Sequence, residues 1–346
     1  MTGEIRTESV PLCPVCGSRE SRVLYTNLKD RLFTAPGEWT LKQCCDCGSA
    51  FLDPRLTRED IGKAYETYST HSTASNQSNS NSLVRRFYEG LKAGYLSRHW
   101  GYTQGTKHWQ RLLGSSLRFL PRPQSQLDSE VMYLRASPGK FLLDVGCGSG
   151  ELTASMRDLG WQVEGLDFDV MAVQEAQKRG FKVRLGTLEE QSYPGASFDA
   201  IIMSHVIEHV HDPFALLTEC YRILSPGGHM VVLTPNICSL CHRLFGVNWR
   251  GLEPPRHLQI FDPLSLQRLA TRVGFMKATV HTTIRSTSWM FVRSNLLWRK
   301  GYYSEKEPAP LATKLRGLVV QHLAWTILHV RPYAGEESVL VAVKDE

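Results

Sequence analysis

The chain reads as an α/β protein: a sheet with helices on both faces, preceded by a small four-cysteine zinc-ribbon-like unit and a helical segment. Three observations predict this. Strands and amphipathic stretches alternate from Gly139 onward, the signature of a sheet wrapped by helices. A glycine-rich turn, Asp144–Gly150, joins the first strand of that series to its first helix. Two Cys-x-x-Cys pairs stand among turn residues near the start of the chain.

The strands expected are Phe141–Val145, Gln162–Asp167, Lys182–Gly186, Phe198–Val206, His229–Pro235, one near Ala278–Thr283, and Ser338–Val343 at the end. Helical periodicity runs through Glu151–Leu159, Val170–Arg179 and Pro213–Leu224, the last stopped by Ser225-Pro226-Gly227-Gly228. Asp262-Pro263 pairs a capping residue with proline at the first helical position, and Gly274 closes that helix. Three regions are expected: 1–55 as the cysteine unit, 56–136 as a serine-rich linker (69–82) and a basic helical segment, and 137–346 as the main domain. Insertions at 236–261 and 289–335 interrupt the main domain after strand ends, where pockets are built.

Composition excludes little. The 346 residues are 42% hydrophobic and 21% charged, ordinary values for a globular chain. No stretch is long and apolar enough to span a bilayer, and the first residues hold no apolar signal segment. A cytoplasmic protein with reduced thiols is therefore expected, and nine cysteines there suggest metal ligands rather than disulfides. The formal charge of +6 concentrates between Leu83 and Arg135, where nine basic residues meet three acids. That window suits an anionic partner, or it is a set of helices with solvated basic faces and buried aromatics. The apolar run at 311–330 reads as core packing of an inserted helix, with a membrane surface as its other reading.

In the glycine turn, Gly146, Gly148 and Gly150 let the backbone fold tightly and a ligand approach closely. The helix that follows offers free N–H groups. Asp167 ends the second strand, where a carboxylate accepts two ribose hydroxyls. A dinucleotide needs Gly-x-Gly-x-x-Gly. Here the spacing is Gly-x-Gly-x-Gly behind Asp144, an acid that repels a pyrophosphate and suits an ammonium and a sulfonium. S-adenosylmethionine is the cofactor this predicts.

Asp144-Val-Gly-Cys-Gly-Ser-Gly150, Gly165-Leu166-Asp167 and Phe198-Asp-Ala-Ile-Ile202 resemble the class I S-adenosylmethionine-dependent methyltransferases. Ser204-His-Val-Ile-Glu-His-Val-His-Asp-Pro213, Leu224–Gly228 and Pro254–Leu258 are similar to the branch containing the ubiquinone-biosynthesis O-methyltransferases. The resemblance covers about residues 139–283 and the final strand. It implies a Rossmann-like seven-stranded methyltransferase sheet with an antiparallel last strand. It also implies a cofactor site drawn from Asp144, Gly146, Cys147, Gly148, Gly150, Asp167, Phe168, Thr187, Leu188, Ser204 and His205. Thr187 stands where many relatives have an acid near the adenine amino group.

His205, Glu208 and His209 match the H-x-x-E-H spacing of zinc peptidases, but they follow an apolar strand rather than sit in a long helix. In the resembled branch an acid at the His205 position joins the Glu-His pair on a divalent ion. With His205 there, zinc or iron fits better than magnesium; alternatively Glu208 and His209 fix the loop by hydrogen bonds. His209 is the first candidate base and His257 the second, with Glu208 beside them. Arg256, with His257, is the candidate to hold a substrate carboxylate or phosphate.

Cys13-Pro-Val-Cys16 and Cys44-Cys-Asp-Cys47 are knuckles, each closed by glycine, suited to one structural tetrahedral zinc. Paired knuckles of this kind are similar to the zinc unit preceding some sugar and natural-product methyltransferases. Cys238-Ser-Leu-Cys241-His242 matches c-type haem attachment only by spacing. A methyltransferase of small-molecule, glycan or lipid-linked acceptors, on oxygen or carbon, is the function expected. RNA methylation is disfavoured for want of an RNA-binding signature, and an inactive scaffold is opposed by the intact glycine turn.

Overall fold

The computed structural model describes residues 5–65, 83–103, 105–303 and 308–346. The serine-rich stretch 69–82 lies outside the described residues. Along the chain come β1 (Thr7–Glu8), β2 (Ser21–Leu28), β3 (Trp39–Cys44), β4 (Ala50–Leu52) and β5 (Arg55–Leu56). Helices α1 (Leu83–Trp100), α2 (His108–Gly114) and α3 (Pro121–Glu130) follow. Then β6 (Phe141–Val145), α4 (Glu151–Asp158), β7 (Gln162–Asp167), α5 (Val170–Gln177), β8 (Lys182–Leu185), β9 (Phe198–Ser204), α6 (Pro213–Ile223) and β10 (Leu224–Pro235) alternate. The chain ends with α7 (Leu240–Phe245), β11 (Gln259–Ile260), α8 (Pro263–Val273), β12 (Lys277–Thr283), α9 (Thr287–Lys300), α10 (Leu311–Leu328) and β13 (Glu337–Val343).

Seven strands form a mixed sheet in the order β12-β13-β10-β9-β6-β7-β8. β6, β7 and β8 pair in parallel, whereas β13 pairs antiparallel with β12, Thr283 opposite Glu337. The reversed final strand is the one the resemblance implies. Near-continuous apolar runs such as Ala200–Met203 and Val231–Leu233 are fully buried, as strands covered on both faces must be. Local chemistry sets the helix starts. Asp169 accepts the N–H groups of Met171 and Ala172 to open α5, and Asp262 accepts those of Leu264 and Ser265 ahead of Pro263 to open α8.

The chain divides into two compact units. One holds Thr70–Ile202 and Ile223–Val231 and contains the helical segment and the glycine turn. There Gly94 faces the backbone of Gln110 and Gly114 that of Leu91, closer than any Cβ tolerates. Tyr95, Leu96, Tyr102, Leu117, Leu127 and Val131 form the core beneath. Within it Asp128 accepts the Tyr95 hydroxyl (2.8 Å) and the Trp100 indole N–H (2.7 Å). Half of the eight aromatics of the basic window thus pack inward, whereas Phe87, Tyr88, Trp109 and Phe119 stay exposed, Phe87 stacked on Trp109.

The other unit holds Met1–Ser69, Met203–Arg222 and Val232–Glu346. Its four-stranded sheet runs β11-β4-β3-β2, so a strand of the 236–261 insertion completes the sheet of the cysteine region. Leu41, Leu52, Leu56 and Ala64 share one core with Ile237, Cys241, Trp249 and Ile260. The segment 1–55 therefore buries its apolar face together with residues from beyond 230. The expected core face of the 311–330 helix is corrected. α10 buries Thr313, Gly317, Gln321 and Ala324 and leaves its leucine stripe exposed.

Candidate functional site

In the first unit, β6 carries Asp144 to the mouth of a turn in which Gly146, Gly148 and Gly150 all take positive φ (72°, 54° and 77°), where a side chain is strained. A Cβ on Gly150 would lie 2.6 Å from the Phe181 ring, whereas one on Gly148 would meet nothing within 4 Å. Gly150 is therefore a packing glycine, and Gly148 borders open space. Asp144 is wholly buried and accepts the Thr153 hydroxyl at 2.6 Å. Burial pushes its carboxyl up to about 7, the Thr153 bond opposes this, and the charge of Asp167 adds to it. Asp167 accepts the N–H groups of Gly148 (2.8 Å) and Asp169 (2.9 Å), and burial raises it as well.

Two buried carboxylates without a cation among these contacts suit a ligand that brings positive charge and hydroxyl donors. Cys147 instead packs with Val173, Ala176 and Val183, and burial raises its thiol. Leu188 is buried, while Thr187 and Phe168 are exposed. The Thr187 N–H donates to Glu190 Oε2 at 2.7 Å.

In the second unit, Ser204 ends β9 and His205 follows in the left-handed region, φ 59°. Its ring bridges Glu208 Oε1 (3.1 Å) and Glu337 Oε1 (3.0 Å), and Arg285 also binds Glu337 at 2.8 Å. Burial works against charge on His205, but the hydrogen bonds to Glu208 and Glu337 outweigh it and push the ring up to about 10. Glu208 is fully buried and takes the Thr234 hydroxyl at 2.9 Å; despite burial, His205 pulls it down to about 2.

His209 and His257 meet edge-on with ring centroids 4.8 Å apart. His209 Nδ1 lies 3.0 Å from the Arg256 carbonyl and 2.9 Å from the Tyr65 hydroxyl. His257 Nδ1 lies 2.8 Å from the Gly251 carbonyl. A carbonyl only accepts, so each Nδ1 carries the proton and each Nε2 the lone pair. Burial draws His257 down to about 4. One donor atom each from Glu208, His209 and His257 lies within 4.8 Å of the others. The sequence groups His205 with Glu208 and His209; the structure corrects this and puts His257 in the trio, with His205 engaged between two carboxylates.

Arg256 is corrected as a substrate hand. It is fully buried, bound to Asp30 (2.9 Å), Glu253 (3.0 Å) and the Ala64 carbonyl (3.0 Å), with the Phe33 ring 4.6 Å away. Its charge is answered inside the protein and its carbonyl orients His209. Tyr65, Glu253 and Asp30, which supply these contacts, carry no motif signal. A cavity of about 360 Å³ lies beside them, lined by Asp30, Arg31, Trp249, Arg250 and Glu253 among others.

The four cysteine sulfurs lie within 4.8 Å of one another, Cys13 to Cys47 at 3.7 Å and Cys16 to Cys44 at 3.5 Å. Zinc–sulfur bonds of about 2.3 Å give a tetrahedral edge of about 3.8 Å. The Gly17 and Gly48 N–H groups fold back onto the Cys13 and Cys44 carbonyls at 2.8 and 3.1 Å, and the set fits that metal. Cys238, Cys241 and His242 contact Asp262, Thr287 and Tyr25 instead, a packing role.

Residues 118–280 match the family model described as a methyltransferase domain. Over 112 residues the chain is 38% identical to a protein of Mycolicibacterium smegmatis described as a probable S-adenosylmethionine-dependent methyltransferase, covering 31% of this chain and 44% of that one. A ubiquinone biosynthesis O-methyltransferase of Cereibacter sphaeroides is 38% identical over 119 residues, covering 32% and 48%. A malonyl-[acyl-carrier protein] O-methyltransferase of Serratia marcescens is 32% identical over 135 residues, covering 38% and 52%. The chain spans about half the length of the curated relatives it matches. The matched span takes in the glycine turn, Glu208, His209 and His257; the cysteine knuckles, α9 and α10 fall outside it.

Proposed function

We propose that this chain transfers the methyl group of S-adenosylmethionine to an oxygen or carbon of a small-molecule, glycan or lipid-linked acceptor. The observation that carries the reading is the turn from Asp144 to Gly150, with its open side at Gly148 and two buried carboxyl groups. Asp144 would face the cofactor's ammonium and Asp167 its ribose hydroxyls, each charge-assisted bond worth about 1.5–3 kcal/mol. When bound, the cofactor supplies an electrophilic methyl on a sulfonium.

What the chain adds is alignment and a base. Alignment alone can supply about 7–11 kcal/mol of the barrier. Of the two histidines, His209 suits the base: its Nδ1–H is fixed on the Arg256 carbonyl, leaving Nε2 to take the acceptor's proton. Glu208, held as an anion, favours the imidazolium that results. His257 resists protonation and serves to hold the His209 ring. A zinc ion on Cys13, Cys16, Cys44 and Cys47 would be structural.

Calorimetry with S-adenosylmethionine tests the first half: wild type binds, and absence of binding ends the proposal. Labelled cofactor incubated with fractionated extract tests the second. Label is expected in the small-molecule or lipid fraction and lost with His209→Gln; label in RNA would replace the acceptor class.

A further inference from the structure

α10 is built inside out. Its buried side is small and polar: Thr313, Gly317, Gln321 and Ala324. Gly317 sits against α9, where a Cβ would come 2.9 Å from the Ser288 carbonyl oxygen. Gln321 Nε2 donates to the carbonyls of Ile284 and Arg285 at 2.8 and 3.2 Å. These contacts fix which side faces the protein. The opposite side carries Leu311, Leu315, Val319 and Leu323, four residues apart, at 72%, 54%, 60% and 53% exposure. That spacing draws one stripe along a helix about 27 Å long. Trp325 and Val330 are exposed as well, as are Trp298 near the end of α9 and Tyr302 just after it.

The described charges along this stretch of the sequence are of one sign. Residues 286–303 and 308–335 hold Arg293, Arg299, Lys300, Lys314, Arg316 and Arg331 and neither aspartate nor glutamate; Glu305, Lys306 and Glu307 lie outside the described residues. A second copy of the same face would set cation against cation. An anionic surface complements it, and long basic side chains keep their heads at a headgroup layer while their stems cover apolar surface. No helix among the described residues is long and apolar enough to cross a membrane, so the stripe suits a helix lying in the interface plane.

We propose that α10 seats its Leu311-Leu315-Val319-Leu323 face on an anionic phospholipid bilayer. This does not rest on the assignment of the methyl acceptor. The test is co-sedimentation of the full chain with vesicles of phosphatidylcholine and phosphatidylglycerol in equal parts, and of phosphatidylcholine alone. The protein is expected to pellet with the mixed vesicles, less so as salt rises, and weakly with phosphatidylcholine. Leu315→Glu with Val319→Glu should weaken binding about tenfold or more without moving the melting temperature. Lys314→Glu with Arg316→Glu, at exposed positions, should abolish the preference for the mixed vesicles. Failure of wild type to pellet with either vesicle overturns the proposal. So does a dimer by light scattering that the Leu315→Glu, Val319→Glu variant dissolves while vesicle binding is absent.

Discussion

Asp144 and His257 are titratable groups that burial pushes in opposite senses, and each makes a measurable statement about pH. Asp144, held near 7, is largely protonated at pH about 6 and ionised at pH about 8. A cationic cofactor binds the ionised form, so affinity should fall roughly tenfold one unit below that pKa. Calorimetric titrations across this range should show the loss in wild type. Asp144→Asn should bind more weakly above pH 7 and lose the carboxylate's share of the dependence; an unchanged profile would remove Asp144 from the ligand. His257 titrates near 6.5 when unfolded and near 4 when folded. Between these values the unfolded chain binds more protons, so stability is full above 6.5 and declines as pH drops toward 4. Thermal melts should show that decline lessened in His257→Gln relative to wild type, and an identical decline would show that His257 is not buried neutral.

At the scale of elements, the turn between β6 and α4 separates two uses of glycine. Gly150 has both positive φ and the Phe181 ring at 2.6 Å from any Cβ, so Gly150→Val should unfold the turn and lower the melting temperature sharply. Gly148 has positive φ and open space, so Gly148→Ala should cost about 1–2 kcal/mol yet weaken S-adenosylmethionine binding far more than that strain implies. Melting temperature and calorimetric affinity measured on the two variants should therefore diverge; parallel losses would make Gly148 a packing residue as well. This turn was legible in the sequence because its chemistry is contiguous: strand, acid, three glycines, helix. The trio of Glu208, His209 and His257 was not, since His257 arrives through an irregular connection with Gly251 and Glu253 as its local anchors. The Tyr65 contact to His209 spans 144 positions and has no motif. In α10 the period revealed a helix, but the period of leucines cannot say which stripe is buried when Gly317 and Gln321 have stronger local partners.

On the scale of the whole molecule, the cysteine knuckles matter because they are not a detachable module. Cys44 ends β3, and β3 belongs to the sheet that β11 completes. Leu41 and Leu52 from that sheet share a core with Trp249 and Ile260, and Arg256 from the same connection reaches back to Asp30. Metal binding at four converging thiolates contributes directly to folding, so loss of zinc should be felt at the Glu208-His209-His257 cluster as well as at the knuckles. Cys13→Ser is expected to lower bound zinc from about one equivalent toward none by elemental analysis, since three thiolates leave the tetrahedron open. It should also lower the melting temperature and make the segment around Trp249 exchange its amide hydrogens faster. Cys45→Ser, a change at an exposed cysteine outside the cluster, should do none of these. If Cys13→Ser removed the metal while Trp249 stayed as protected as in wild type, the shared core would be holding without it, and the zinc would be local to its knuckles.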